Sequence, residues 1–403
     1  MESGRTRVLF VAEGATLAHV GRPLQLARSL DPETFDISFA RPEAFAWLTR
    51  EERFPLLPLR SQDSSIFARR LDAGRPLYDF ATLVAYVEED LALLAAAKPD
   101  VVVGDFRLSL SVSARLAGTP YATICDAYWS PETPLRPQLP VLWHTRYAPL
   151  GVAKLLFRWV APYAFRLHAR PMEQLRARYG LPPLGGDLRR CYTDADLRLF
   201  ANFRMLFPET DATPAADFLG PLAWSPPDDP GLEATLGSEP LIYVTMGSSG
   251  DPGALAQLLP ALAETGLPVA VAGAGKTVPS MAKYPANVRV FDFLPGDQMC
   301  RRARLVVCNG GSPTTNQALR AGVPVLGICR NMDQFLNMNA VEAFGAGLGL
   351  RSDRLDPASL RSRIAALLSE PSYGAQAKKL QRTVGQESAF ATYLERLVTP
   401  RLH

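Results

Sequence analysis

The 403-residue chain carries 43 Lys and Arg against 40 Asp and Glu, a formal net charge of +3, with 47% hydrophobic and 21% charged residues. This length suits two or three domains with separate cores, and the composition excludes a largely disordered chain. A charge balance so near neutral gives no support to a nucleic-acid-binding role.

Taken in chain order, short β-branched runs alternate with amphipathic stretches. Strands are expected at Val8–Ala12, Ile37–Ala40, Val101–Gly104, Tyr121–Cys125 and Leu197–Ala201. A second series is expected at Leu241–Thr245, Val269–Ala272, Val288–Phe291, Leu305–Cys308 and Val323–Ile328. Helical patterns lie between them at Leu24–Leu30, Leu83–Ala97 and Leu255–Leu262. Continuous apolar strands that alternate with helices imply parallel sheets covered on both faces, and two such series imply two doubly wound α/β domains. The segment 223–238, AWSPPDDPGLEATLGS, reads as a linker. The expected division is therefore 1–222, the linker 223–238, 239–380, and a C-terminal segment 381–403 whose helical stretch Gln381–Leu397 packs back on the first domain.

In the first half, His19 sits where strand one passes into a helix, and Asp105 ends another strand of the same series. Parallel α/β folds place their sites at such strand ends. A helix-start histidine and a strand-end cap are the plainer reading of the same two residues. Asp126, Tyr128 and Trp129 follow a strand end and are expected to line a pocket. From 136 to 178 there are eight Lys and Arg but a single acid, Glu173, with six aromatic residues interleaved. Such a segment can lie on an anionic membrane, hold an amphiphilic ligand, or cover the domain while Arg stems reach water. Pro162 is expected to divide it into two helices.

The most informative stretch is CNGGSPTTNQALRAGVPVLGI at 308–328. A buried strand runs into Gly310 and Gly311, with Ser312 suited to the N-cap of a helix and Pro313 to its first position. Thr314 and Thr315 add hydroxyls to the first turn, where backbone amides and the helix dipole favour an anion. A tight structural turn with a good cap is the alternative. Further on, Asp333 and Gln334 follow the next strand and can hydrogen-bond sugar hydroxyls, although solvated loop residues are the plainer reading of that pair on its own. AGAGKT at 272–277 is no Walker loop, because the required first glycine is Ala270.

Together TMGSS (245–249), FLPGDQM (293–299), NGGSPTTNQAL (309–319), AGVP (321–324) and MDQFLN (332–337) resemble the donor-binding half of family-one nucleotide-sugar glycosyltransferases. AHVGRPLQLARSL and PDVVVGDF (99–106) resemble the acceptor half of the same family. The resemblance implies the GT-B architecture, two Rossmann-like domains facing a cleft. It implies that His19 is a general base oriented by Asp105, and that Ser312 and Thr314, with neighbouring amides, hold a diphosphate. Gly247 and Ser248 would line that diphosphate from the other side. Phe293, Leu294 and Pro295 would face the nucleobase, and Asp333 with Gln334 the donor sugar. Asn309 replaces the family's histidine and Gln317 its ribose-binding glutamate, so a charge-assisted phosphate contact becomes a neutral one.

The expectation is an inverting, metal-independent transfer of a hexose from a UDP- or dTDP-sugar to a hydroxyl of a natural-product or lipid-like acceptor. The donor is a substrate, and no cofactor is expected. A non-catalytic nucleotide-sugar-binding partner protein and an epimerase of the same fold are the alternatives. Five cysteines without a CxxC pair, a first apolar run that meets Glu13, and no long apolar stretch point to a cytoplasmic protein. Peripheral contact with the inner face of a membrane through 136–178 is expected as an addition.

Overall fold

A computed structural model describes residues 5–134, 138–142, 145, 149–210, 213, 215–247, 250, 252–273, 284–386 and 388–399. The first half runs β1 (Thr6–Ala12), α1 (Leu17–Ser29), β2 (Phe35–Arg41), β3 (Leu56–Pro58), α2 (Ser64–Asp72), α3 (Phe80–Ala97) and β4 (Val101–Asp105). It continues with α4 (Leu110–Ala117), β5 (Tyr121–Cys125), α5 (Leu150–Arg178), α6 (Leu188–Thr193), β6 (Leu197–Phe200) and β7 (Ala216–Phe218). The second half runs α7 (Leu232–Leu236), β8 (Leu241–Thr245), α8 (Leu255–Ala263), β9 (Val269–Ala272), β10 (Val288–Phe291), α9 (Gly296–Arg302) and β11 (Ala303–Cys308). Then come α10 (Ser312–Arg320), β12 (Val325–Cys329), α11 (Met332–Phe344), β13 (Gly347–Arg351), α12 (Pro357–Ser369), α13 (Pro371–Gln381) and α14 (Phe390–Val398).

The first sheet has the order β3-β2-β1-β4-β5-β6-β7 and the second β10-β9-β8-β11-β12-β13, and both ladders are parallel. All ten expected strands are present. Three more were not foreseen: β3 ends on a proline, β7 has only three residues, and β13 is the glycine-broken GLGLR. Each is the outermost strand on one side of its sheet, or of that half, and is specified by its neighbour's ladder rather than by its own propensity.

In each sheet the strand order reverses beside the first strand of that half, between β1 and β4 and between β8 and β11. Those are the switch points, where a crevice opens beyond the strand ends. The strands finish level there: Ala12 pairs with Asp105, and Thr245 with Cys308.

The halves touch through specific bonds. Asn316 on α10 donates to the carbonyls of Ala201 and Leu222, and Gln317 donates to that of Trp224. Val141 N–H donates to the Arg330 carbonyl at 2.7 Å. The expected helix at Gln381–Leu397 is two elements, with α13 ending at Gln381 and α14 beginning at Phe390. In α14, Phe390, Tyr393 and Leu394 join the core under β1, and the Tyr393 hydroxyl donates to the Phe218 carbonyl. The expected break at Pro162 does not occur, for α5 is one helix of 29 residues. All five cysteines are buried and unpaired.

Candidate active site

β1 and β4 lie side by side, so the helix that follows β1 begins over the end of β4. His19, in the first turn of α1, thereby reaches Asp105, and its Nδ1 lies 2.8 Å from Asp105 Oδ1. The carboxylate is fully buried, whereas the His19 side chain keeps 16% of its surface exposed. An Nδ1–H that donates to Asp105 leaves Nε2 with the lone pair, which is the base-competent tautomer. The imidazole stacks on Phe106, with ring centroids 4.7 Å apart and planes 14° from parallel. Phe106 holds a φ of +59°. That left-handed conformation costs a bulky residue about 1–3 kcal/mol and is held by its surroundings, Phe67, Tyr78 and Tyr192.

Arg22, one turn beyond His19 on α1, was not singled out from the sequence. Its guanidinium grips Asp105 with two bonds of 2.8 Å and reaches Asp126 at 2.9 Å. Asn202 completes the cluster by donating to Asp126 Oδ1 and accepting from the Ala127 N–H. Burial would raise the Asp105 carboxyl, but Arg22 and His19 outweigh it and hold it below the usual carboxylate range. Asp126, expected to line a pocket, is thus engaged by Arg22 and Asn202.

A second buried cluster pins the backbone on both sides of this crevice. Arg107, two residues past Asp105, binds Glu13, Asp90 and Glu89 at 2.9–3.0 Å and lies over the Tyr86 ring. Glu13 also accepts from the Ser61 hydroxyl, which in turn accepts from Gly14 N–H. The loop leading to His19 is therefore fixed from below.

Across the junction, Gly310 has a φ of +81°, and a Cβ there would meet Cys329 Sγ and Met338 Cγ at 2.8 Å, so the turn requires glycine. The helix begins one residue earlier than expected: Gly311 is the N-cap and Ser312 the first helical residue. Asn309 turns its Oδ1 inward to accept from Gly311 N–H, and Asn337 donates to the Gly310 carbonyl and to Thr315 Oγ1. Gly311 and Thr314 keep part of their surface exposed at this helix terminus, while Ser312 is buried. Gly247 brings the loop after β8 against it, since a Cβ there would lie 3.4 Å from Asn309 Nδ2. Ser248 lies outside the described residues. Phe293 is 57% exposed, whereas Leu294 and Pro295 are buried. Gln317 packs so closely that a side chain at Gly296 would collide with it.

Asp333 and Gln334 part company. Gln334 is buried, and its side chain closes a capping box with Asn331 at the start of α11, accepting from Arg330 and Asn331 N–H. Asp333 instead accepts from Trp129 Nε1 at 2.8 Å, a bond between the two halves. The buried Tyr128 hydroxyl lies beside Ser312, Asp126 and Asp333 without a hydrogen bond of good geometry. Burial and the charge of Asp126 push the Asp333 carboxyl above its ordinary range. A carboxyl with a raised folded-state value stabilises the fold below its unfolded value and loses that contribution as pH rises through the folded one. Asp333→Asn should therefore exceed the parent in melting temperature at neutral pH, with the gain vanishing in acid. A melting-temperature difference that does not change with pH would refute this.

The histidine and its carboxylate lie at one switch point, and a helix N-terminus, where backbone amides and the helix dipole favour an anion, lies with the Asp333 carboxyl at the other. Among the described residues no group of three or more His, Cys, Asp or Glu is placed to hold a metal ion, and no helix is long and apolar enough to cross a membrane.

A model of the family "Erythromycin biosynthesis protein CIII-like, C-terminal domain" matches residues 256–392. Over 394 residues the sequence is 42% identical to a PGL/p-HBAD biosynthesis glycosyltransferase of Mycobacterium tuberculosis, covering 97% of this chain and 92% of that protein. Over 386 residues it is 43% identical to a PGL/p-HBAD biosynthesis rhamnosyltransferase of Mycobacterium bovis, covering 95% and 85% respectively. The structure is similar to that of the spinosyn rhamnosyltransferase SpnG complexed with thymidine diphosphate, with TM-score 0.66, 20% identity, and coverage of 97% of this chain and 100% of that one.

Proposed function

The chain belongs to the natural-product glycosyltransferase family with the GT-B fold, and from that premise we propose that it transfers a hexose from a dTDP- or UDP-sugar to a hydroxyl of a lipid-like acceptor, with inversion. The observation that carries the reading is the His19–Asp105 pair at one switch point, set against the α10 terminus at the other. His19 Nε2 takes the proton of the acceptor hydroxyl, and the oxygen attacks the anomeric carbon. The bond from that carbon to the phosphate oxygen breaks, and the electron pair leaves on the nucleoside diphosphate. A single displacement of this kind inverts the centre. Asp105 holds the tautomer and stabilises the imidazolium. The charge that grows on the leaving group is met by the N–H groups and hydroxyls at Gly311–Thr315 and by the helix dipole, so no metal is required.

Asp333, oriented by Trp129 Nε1 at the junction of the two halves, accepts from hydroxyls of the donor sugar. The names of the relatives favour a deoxyhexose of the rhamnose type, and the thymidine diphosphate named for the SpnG structure favours dTDP as carrier.

The test is a transfer assay with dTDP-rhamnose, dTDP-glucose and UDP-glucose against a phenolic alkyl acceptor, with the product anomer assigned by NMR. Acceptor-dependent product of inverted configuration is expected. Retained configuration would overturn the single-displacement mechanism. Donor conversion without acceptor would point to epimerisation or hydrolysis instead.

A further inference from the structure

Helix α5 presents an apolar face that nothing among the described residues covers. Val152, Leu155, Leu156, Trp159, Val160 and Tyr163 are exposed at helical spacing on one side, and Leu167 continues the row by another turn. Trp159 is 81% exposed and Tyr163 65%. Together these seven are more than half of the twelve large hydrophobic side chains exposed among the described residues, so the patch is concentrated rather than scattered. None of residues 150–160 is buried, so the first turns of the helix project from the body of the domain.

Charge distinguishes the possible occupants. Lys154, Arg158, Arg166 and Arg170 are all exposed, and no acid occurs between 150 and 172. Two copies paired through this face would bring their cations together with nothing to neutralise them. A sheet of anionic headgroups over an acyl layer matches both properties at once. The opposite face of the helix points to use: Ala169, Met172 and Leu175 pack with Ala15, Phe67 and Leu108 in the cluster that Phe106 and Trp129 border. The same helix therefore joins the apolar surroundings of His19 to the exposed row.

We propose that the face of α5 from Val152 to Leu167 docks the protein on an anionic lipid bilayer, with its aromatic and aliphatic side chains at the acyl boundary and its four cations on the headgroups. Docking itself does not depend on the transfer reading. Only its purpose, presentation of a lipid-like acceptor, rests on that reading.

The full chain should co-sediment with phosphatidylglycerol vesicles, more weakly as salt is added, and not with phosphatidylcholine vesicles. Two variants separate the contributions: Lys154→Gln with Arg158→Gln, Arg166→Gln and Arg170→Gln, and Leu156→Ser with Trp159→Ser and Tyr163→Ser. Each should lower vesicle affinity roughly 100-fold, while transfer to a short water-soluble acceptor stays at the parent rate. The proposal falls if the parent ignores phosphatidylglycerol or binds phosphatidylcholine equally well. It falls too if sedimentation shows a dimer that the triple serine variant loses, because the face would then belong to a second copy. Vesicle binding without transfer to any acceptor would sink the transfer reading and leave this one standing.

Discussion

Replacing His19 with Ala should reduce transfer by roughly 10²–10⁴-fold, the usual contribution of a positioned general base, and leave affinity for the nucleoside diphosphate unchanged. An acceptor hydroxyl is a poor nucleophile near neutral pH, and among the described residues His19 is the imidazole held against a buried carboxylate at a strand end. The fold should tolerate the change. Asp105 keeps both bonds to Arg22, so no buried charge is stranded, and the ring leaves only a partly exposed space above Phe106. His19→Gln separates position from proton transfer, because an amide can still hydrogen-bond Asp105 but takes no proton. Both variants should lose turnover alike while calorimetry records parent-like diphosphate binding. Parent-level turnover in either would remove His19 from the reaction.

How much of this was legible beforehand differs between the halves of the site. His19 and Asp105 could be placed because position alone, a helix start and a strand end in one parallel series, puts them over the same crevice. Arg22 shares the helix of His19 and lies three residues from it, so its face was readable. Its partner Asp126 ends a different strand, and only the sheet order makes the two adjacent. The glycine turn at 309–312 was readable because backbone geometry demands it. The inward turn of Asn309 and the capping role of Gln334 were not, since an amide beside a helix start serves equally well as a cap or as a ligand. Pro162 misled for a related reason. It lies on an exposed side of α5, where water can satisfy the carbonyl left without its N–H, so the helix runs on.

Arg22→Met should be the most damaging single change to stability at this site, about 3–5 kcal/mol, the cost of leaving a buried charge without its partner. The guanidinium is 3% exposed and stands between two carboxylates, one fully buried and the other nearly so. Asn202 would still donate to Asp126, but Asp105 would keep only His19. The sign with pH follows from the depressed Asp105 carboxyl. Its contribution to stability is present above the unfolded-state value and is lost as pH falls through the folded one. The gap in melting temperature between parent and variant should thus be widest at neutral pH and close in acid, with the parent the more stable, whereas Asp333→Asn should show a gap of the same pH dependence and the opposite sign. Arg22→Lys should fall between, because a point charge cannot make the two-bond grip and also reach Asp126. Catalysis supplies an independent readout: the two-bond grip of Arg22 fixes the Asp105 carboxylate that in turn orients His19, and a lysine leaves that carboxylate free to turn. Turnover should therefore fall in Arg22→Lys, the variant that remains folded, while diphosphate affinity stays at the parent level. Parent-level turnover with a lowered melting temperature would make Arg22 a structural residue alone.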